Sequence, residues 1–282
     1  MKNNHTSDVA THYGSDDLGT KIFTALVKAG KEPENLQLKD IAVIDQLHTG
    51  GHTASLELAA KAGISEKDSV LDAGCGIGGS SRLLAQTFKC KVTGIDLVPS
   101  FIEIARQLSK ATQTLEYLTF NCADIINTGL LDDSFDVVWS QHTLMNIKHK
   151  DAVFAEFKRV LKPGGIMVLH EIVQGSKADI HLPVPWADKP EISFLVPGQE
   201  MEKMILDNGF RCRFIEDRTD QAKLWWEKVD AATHQTTDRP PRHLGPHIIF
   251  GDNGKLFGQT MTKNLNENRI QLIEAVYVKY IC

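Results

Sequence analysis

Val70-Leu71-Asp72-Ala73-Gly74-Cys75-Gly76-Ile77-Gly78-Gly79 is the stretch that decides how this chain folds. Ser69 to Asp72 is a short apolar run of strand type, and SSRLLAQTFK beyond the glycines carries helical apolar spacing. Glycine suits a tight strand-to-helix turn that a ligand must approach closely, because it lacks Cβ and tolerates positive φ. A G-x-G-x-G run alone is a weak signal; its place between a strand and a helix sharpens it.

Downstream, the same rhythm repeats. Lys91–Asp96 reads as a second strand followed by a helix around FIEIARQLSKA, and Leu115–Asn121 as a third. Phe135–Ser140 makes a fourth, followed by the helix DAVFAEFKRVL. Pro163-Gly164-Gly165 then turns the chain into a fifth strand, Ile166–Glu171. Strands alternating with helices require parallel crossovers, hence an α/β sheet covered on both faces. Residues 175–200 are loop-rich, with Pro183, Pro185, Pro190 and Pro197. A helix EMEKMILDNG and a strand FRCRFIEDR follow. Residues 221–250 hold the adjacent Trp225 and Trp226, expected to divide between core and surface, and the turn-rich RPPRHLGPH. IQLIEAVYVKY returns to the core as a helix or strand. Upstream of the sheet, KIFTALVKAG ends at Gly30 and SLELAAKA at Gly63, both helices with a glycine stop. IDQLHTGGHTAS between them is unusual loop chemistry.

Composition narrows the function. With 42 % hydrophobic and 24 % charged residues the chain has the make-up of a globular protein, and its net charge of −5 offers no footprint for nucleic acid. Lysines and arginines are scattered, and no apolar run approaches the ~20 residues that span a bilayer. Cys75, Cys90, Cys122, Cys212 and Cys282 are widely spaced and never form C-x-x-C, which fits a reducing compartment. The opening MKNNHTSDVATHYG has no apolar core of a secretory signal, so a cytoplasmic location is expected. No H-E-x-x-H or G-x-S-x-G stretch occurs, and neither a metal centre nor an esterase is expected.

Asp96 ends the second strand, 20 residues after Gly76, where a carboxylate can accept both ribose hydroxyls of a nucleoside cofactor. Gly74, Gly76 and Gly79 also satisfy the G-x-G-x-x-G spacing of a nicotinamide site, so an NAD(P)-dependent oxidoreductase is an alternative. Asp72 argues against it. A carboxylate beside the loop repels a diphosphate and favours a cationic ligand, and S-adenosylmethionine carries a sulfonium, an ammonium and no phosphate.

VLDAGCGIGG, VTGIDLVPSFIEIAR, CADI, FDVVWSQHTLMNI and EFKRVLKPGGIMVLHE, in that order over residues 68–172, resemble the class I S-adenosylmethionine-dependent methyltransferases. The likeness is strongest to the small-molecule branch around the ubiquinone/menaquinone and sarcosine/dimethylglycine enzymes. It implies a Rossmann-like, doubly wound, seven-stranded, mostly parallel sheet with a reversed seventh strand. Residues 1–66 would form a helical lid, and 67–282 the cofactor-binding domain, with acceptor-pocket insertions near 175–195 and 220–260. By the same resemblance Gly74, Gly76 and Gly78 line the methionine part of the cofactor, and Asp96 binds the ribose. Leu97 lies against the adenine, Asp124 accepts from its amino group, Ile125 packs on the ring, and Gln141 sits by the methionine end. His142 departs from the family's usual residue.

Methyl transfer from an activated sulfonium needs chiefly an aligned nucleophile; a base matters only where the acceptor carries a proton. Candidate groups are His48, His142, His170 and Glu171. The last two adjoin on one strand and should point to opposite sides, so at most one faces the site. Each has a plain structural role as its rival reading. Tyr13 and Trp186 are candidates for an aromatic wall around the acceptor. The expected reaction moves a methyl group to an O, N or C atom of a small molecule, with no nucleic-acid or membrane partner. A non-catalytic cofactor-binding protein and a homo-oligomer stay open.

Overall fold

Ser69–Ala73 becomes β1, with four of its five residues buried, at the heart of a seven-stranded sheet. The structure, a computed structural model, describes residues 17–177, 179–234 and 243–280. β2 (Lys91–Asp96) and β3 (Leu118–Cys122) lie parallel on one side of β1, and β4 (Phe135–Gln141) and β5 (Leu161–Gln174) on the other. β6 (Phe210–Asp217) and β7 (Ile270–Lys279) complete the order β3-β2-β1-β4-β5-β7-β6, with β7 antiparallel to both neighbours. Alternate strand residues feed opposite faces. Leu71, Ile95 and Val138 enter one core with Phe154 and Phe157; Val70, Val92 and Trp139 enter the other with Leu58 and Leu84. The chain reverses its direction of travel between β3 and β4, so a crevice opens at the carboxyl ends of β1 and β4.

The N-terminal segment supplies α1 (Leu18–Lys28), α2 (Leu38–Asp45) and α3 (Gly51–Ala62). The helical period buries Leu18, Ile22 and Leu26 of α1 and Ile41 and Ile44 of α2 against Ile77, Phe101 and Leu108. α4 (Gly79–Phe88), α5 (Pro99–Ala111) and α6 (Lys150–Val160) are the crossovers after β1, β2 and β4. α2 lands on the start of α4 at backbone contact. A Cβ on Gly79 would lie 1.9 Å from the Asp45 carbonyl oxygen, so only glycine fits there. The same junction carries a buried ion pair, Arg82 Nη2 to Asp45 Oδ2 at 2.8 Å.

α7 (Gly198–Asp207) precedes β6, and α8 (Thr219–His234), the one-turn α9 (His247–Phe250) and α10 (Phe257–Asn266) separate β6 from β7. Trp186, Trp226, Met261 and Leu265 form a further apolar cluster with Ile172 and Leu272.

Four local expectations change, and the open ones downstream are resolved. Leu38–Asp45 is a helix that the periodicity did not single out. α3 begins at Gly51, ahead of Ser55, because Gly50 at φ 83° makes the sharp entry into its first turn. Leu115–Tyr117 is a 3-10 turn ahead of β3. Pro163-Gly164-Gly165 lies inside β5, absorbed where the β4–β5 register shifts between Phe135 and Val137. Residues 219–234 are helical, with Trp226 buried and Trp225 partly so, and Ile270–Lys279 is strand.

Gly79→Ala should force α2 off α4. Hydrogen exchange in residues 38–50 should rise while β1, β4 and β5 stay protected, with about 1–3 kcal/mol lost in denaturant unfolding, the usual cost of overpacking.

Candidate active site

The carboxyl ends of β1, β2, β3 and β4 meet at a cavity of about 220 Å³. At its floor the glycine loop is fixed by the strands beside it, since the N–H groups of Gly74 and Cys75 both donate to the Ile95 carbonyl at 2.9 Å. Gly76, at φ 52°, would point a Cβ into open space, so its absence leaves room along the loop. Its N–H donates to Asp96 Oδ2 at 2.9 Å, while Val98 N–H donates to Oδ1 at 2.9 Å. Burial raises the Asp96 carboxyl above the ordinary aspartate value, and the Val98 and Gly76 amides oppose that rise. The carboxylate is thereby aimed and still faces the cavity.

Leu97, Asp124 and Ile125 line the same cavity, as do Gln141, His142 and His48. Asp124 turns one oxygen inward to the Ile126 N–H at 3.0 Å. Gln141 Oε1 accepts from Ser80 Oγ at 2.8 Å, Ser55 Oγ at 3.1 Å and Trp139 Nε1 at 3.3 Å. An indole can only donate, so the amide oxygen must face Trp139 and the NH₂ must face away. Gln141 Nε2 is buried with no hydrogen-bond partner among the described residues. His48 Nε2 meets Ser55 Oγ and the Gly51 carbonyl, each at 2.9 Å. His142 sits at φ 52°, a left-handed conformation unusual for a side chain of that size, and its N–H donates to the His170 carbonyl. Burial, then the charge of nearby His170, pushes both imidazoles down, His48 to about 3 and His142 well below its ordinary value. Both are neutral bases at physiological pH.

Four expected site residues lie outside the cavity lining. Asp72 is buried behind the loop and takes a hydrogen bond from Ser81 Oγ. Burial lifts its carboxyl to about 6. It therefore stands away from the cavity surface where it was expected to meet a ligand directly. Gly78 is also turned inward: a Cβ there would meet Arg82 Nη1 at 2.8 Å and the Phe120 ring at 3.0 Å.

His170 and Glu171 do point to different partners, but neither reaches the cavity wall. The His170 ring stacks on His142 at 5.1 Å; its Nε2 lies 3.1 Å from the Thr49 carbonyl and its Nδ1 3.3 Å from Glu274 Oε1. Glu171 accepts from Ser140 Oγ at 2.9 Å and from the N–H groups of Thr143 and Leu144 at 3.1 and 3.2 Å. It anchors the turn that carries His142. Strand alternation predicted the opposed directions; β7 and the loop after β4, which cover both sides, made each residue internal.

Sequence reasoning missed Asp45, which lines the cavity while held by Arg82, and the apolar Met145, Ile147, Ile249 and Phe250. Asp45 adjoins the unusual glycine-histidine loop, the only local signal for it. Trp186 does reach the cavity, braced by Nε1 on Ser193 Oγ at 3.0 Å. Tyr13 lies outside the described residues. His48 and His52 stand four residues apart but flank the start of α3, with His52 exposed. Among the described residues no cluster of three His, Cys, Asp or Glu side chains could hold a metal ion. No helix among them is long and apolar enough to cross a membrane.

Residues 71–169 match the family model of a methyltransferase domain. Over 178 residues the chain is 34 % identical to phosphoethanolamine N-methyltransferase 1 of Arabidopsis thaliana, covering 61 % of this chain and 35 % of that protein. It is 42 % identical over 122 residues to 2-methyl-6-phytyl-1,4-hydroquinone methyltransferase of Synechocystis, covering 43 % and 36 % of the two chains. The first three curated relatives are matched over only 35 to 39 % of their own length. Among solved structures, geranyl diphosphate C-methyltransferase of Streptomyces coelicolor superposes with a TM-score of 0.68 at 15 % identity, covering 99 % of each chain. Haemonchus contortus phosphoethanolamine N-methyltransferase 2 superposes at 0.69 and 20 % identity, covering 84 % of this chain and 55 % of that one.

Strand order, reversed β7 and a glycine loop opening on the switch-point cavity define the Rossmann-like fold of the class I S-adenosylmethionine-dependent methyltransferases. The methyltransferase-domain match over residues 71–169 covers the strands and loops that build this cavity.

Glu171 gives this site a pH signature. Burial raises its carboxyl from 4.5 to about 7, against the pull of the Thr143 amide. The folded state therefore holds the proton more tightly than the unfolded chain, and this group's contribution to stability falls as pH rises through that window. Glu171→Gln should remove that slope, so the melting-temperature gap between wild type and variant should narrow from pH 5 to pH 8.

Proposed function

We propose that this protein transfers a methyl group from S-adenosylmethionine to an O, N or C atom of a small-molecule acceptor. The observation that carries the reading is the Asp96 carboxylate, pinned by the Gly76 and Val98 amides at the edge of a cavity floored by the glycine loop. The residues present fit such a ligand: a two-oxygen acceptor for ribose hydroxyls, an open strip over Gly76, and an amide NH₂ at Gln141 with no partner among the described residues. When bound, S-adenosylmethionine supplies an electrophilic methyl group on a sulfonium that is already a good leaving group.

The chain's own residues have the remaining tasks. Asp96 takes the ribose hydroxyls, with Leu97 and Ile125 against the adenine and Asp124 near its amino group. Gly74, Gly76 and Gln141 line the methionine end, and Gly78 and Asp72 shape the loop from behind. His142 and His48, neutral because they are buried beside His170, are placed to accept a proton from an acceptor that carries one. Glu171 and His170 act behind them, on the turn and the ring stack. Residues 17–66 serve as the described part of the lid, since Asp45, Leu47 and His48 close one side of the cavity. The segments around Trp186 and Phe250 close the other.

The cytoplasmic location in this reading rests on the scattered cysteines, of which Cys75, Cys90, Cys122 and Cys212 are free. The homo-oligomer is tested by light scattering, and a mass equal to one chain removes it.

Isothermal titration should give micromolar binding of S-adenosylmethionine and S-adenosylhomocysteine to the wild type. Asp96→Ala should weaken both at least tenfold; unchanged affinity would remove Asp96 from the site. His142→Ala should lower turnover of a protonated acceptor by about 10²-fold, the usual worth of a positioned base, and leave cofactor affinity in place.

A further inference from the structure

Beyond Gln141 the cavity is walled by Met145, Ile147, Pro185, Trp186, Ile249 and Phe250. These come from the turn after β4, the loop before α7 and the segment before α10. The wall is aliphatic, aromatic and free of ionisable groups. The ionisable side chains that reach the cavity, among the described residues, are Asp45, Asp96, Asp124, His48, His142 and the Cys75 thiol, which burial keeps protonated. Asp45 is balanced by Arg82, whose guanidinium is fully buried between α4 and α5 and stands behind the lining. The two imidazoles carry no charge at neutral pH, for burial and the adjoining His170 hold both down. No lysine or arginine among the described residues lines the cavity.

A phosphate monoester carries about 1.5 to 2 negative charges near pH 7. In this cavity it would exchange its water for apolar surface and carboxylates, with no cationic side chain among the described lining residues to repay the desolvation. An uncharged ring or chain would exchange its water for Trp186, Met145 and Ile249, which is favourable in proportion to the apolar area covered. We propose, on the reading of the protein as an S-adenosylmethionine-dependent methyltransferase, that its methyl acceptor is an uncharged, largely apolar molecule without phosphate or other fixed negative charge.

The test compares 4-butylphenol with 4-butylphenyl phosphate, which differ only in the charged group, by titration calorimetry at pH 7.5. The full chain is first saturated with S-adenosylhomocysteine, so a failure of the cofactor to bind overturns the underlying reading separately. The phenol should bind wild type at least tenfold more tightly than its phosphate ester. Ile249→Lys, at a half-buried position, should weaken the phenol and strengthen the ester, narrowing or reversing the ratio. Its melting temperature checks that the variant is folded. Equal or tighter binding of the ester to wild type overturns the proposal, as does failure of the phenol to bind cofactor-saturated protein.

Discussion

The reversal of chain direction between β3 and β4 is the constraint on which the rest of this structure depends. A right-handed crossover must place its helix over one face of the sheet, so winding first one way from β1 and then the other sends neighbouring helices to opposite faces. The carboxyl ends of β1 and β4 are left without a covering connection. Every residue of interest sits at this gap: Gly74 and Gly76 after β1, Asp96 after β2, Asp124 after β3, and Gln141 and His142 at the end of β4.

The gap becomes a cavity only because separate segments close it. α2 is held by the Arg82–Asp45 pair, both partners nearly inaccessible to water. Burial pushes the Asp45 carboxyl up and Arg82 pulls it back, so the pair gives more to the choice of one docking position than to net stability. Removing either partner alone would leave an uncompensated buried charge, typically about 3–5 kcal/mol. Gly79 permits the approach, and Trp226 reaches across to hydrogen-bond Thr49 Oγ1 at 3.1 Å, tying α8 to the same loop.

Charge state is set by the same closure. His48, His142 and His170 stand within 5.1 to 6.2 Å of one another, and two of the three face the cavity. Three charged imidazoles at that spacing would repel strongly in a poorly hydrated site. Glu274, from β7, lies behind His170 with Lys61 and Arg218 each 3.6 Å from its Oε2. Burial alone would raise that carboxyl, but His170, Arg218 and Lys61 outweigh it and hold it low. Positive charge thus stands behind the cavity, and the imidazoles facing it are neutral.

The sequence by itself determined the alternation of strands and crossover helices, the glycine loop and Asp96, because these depend on local periodicity and on chemistry within one turn of a strand end. It also marked Leu97, Asp124, Ile125, Gln141, His142 and His48, all of which line the cavity. Only the tertiary structure decided which way the remaining candidates face. Asp72 and Gly78 turn behind the loop, and His170 and Glu171 are enclosed by β7, the loop before α3 and the turn after β4. Asp45, Ile249 and Phe250 join the site from segments far from the glycine loop in sequence. Strand periodicity states that successive side chains oppose each other; which side opens on a cavity depends on what packs above it, and that is set by tertiary contacts, as where His170 meets the Thr49 carbonyl 121 positions away.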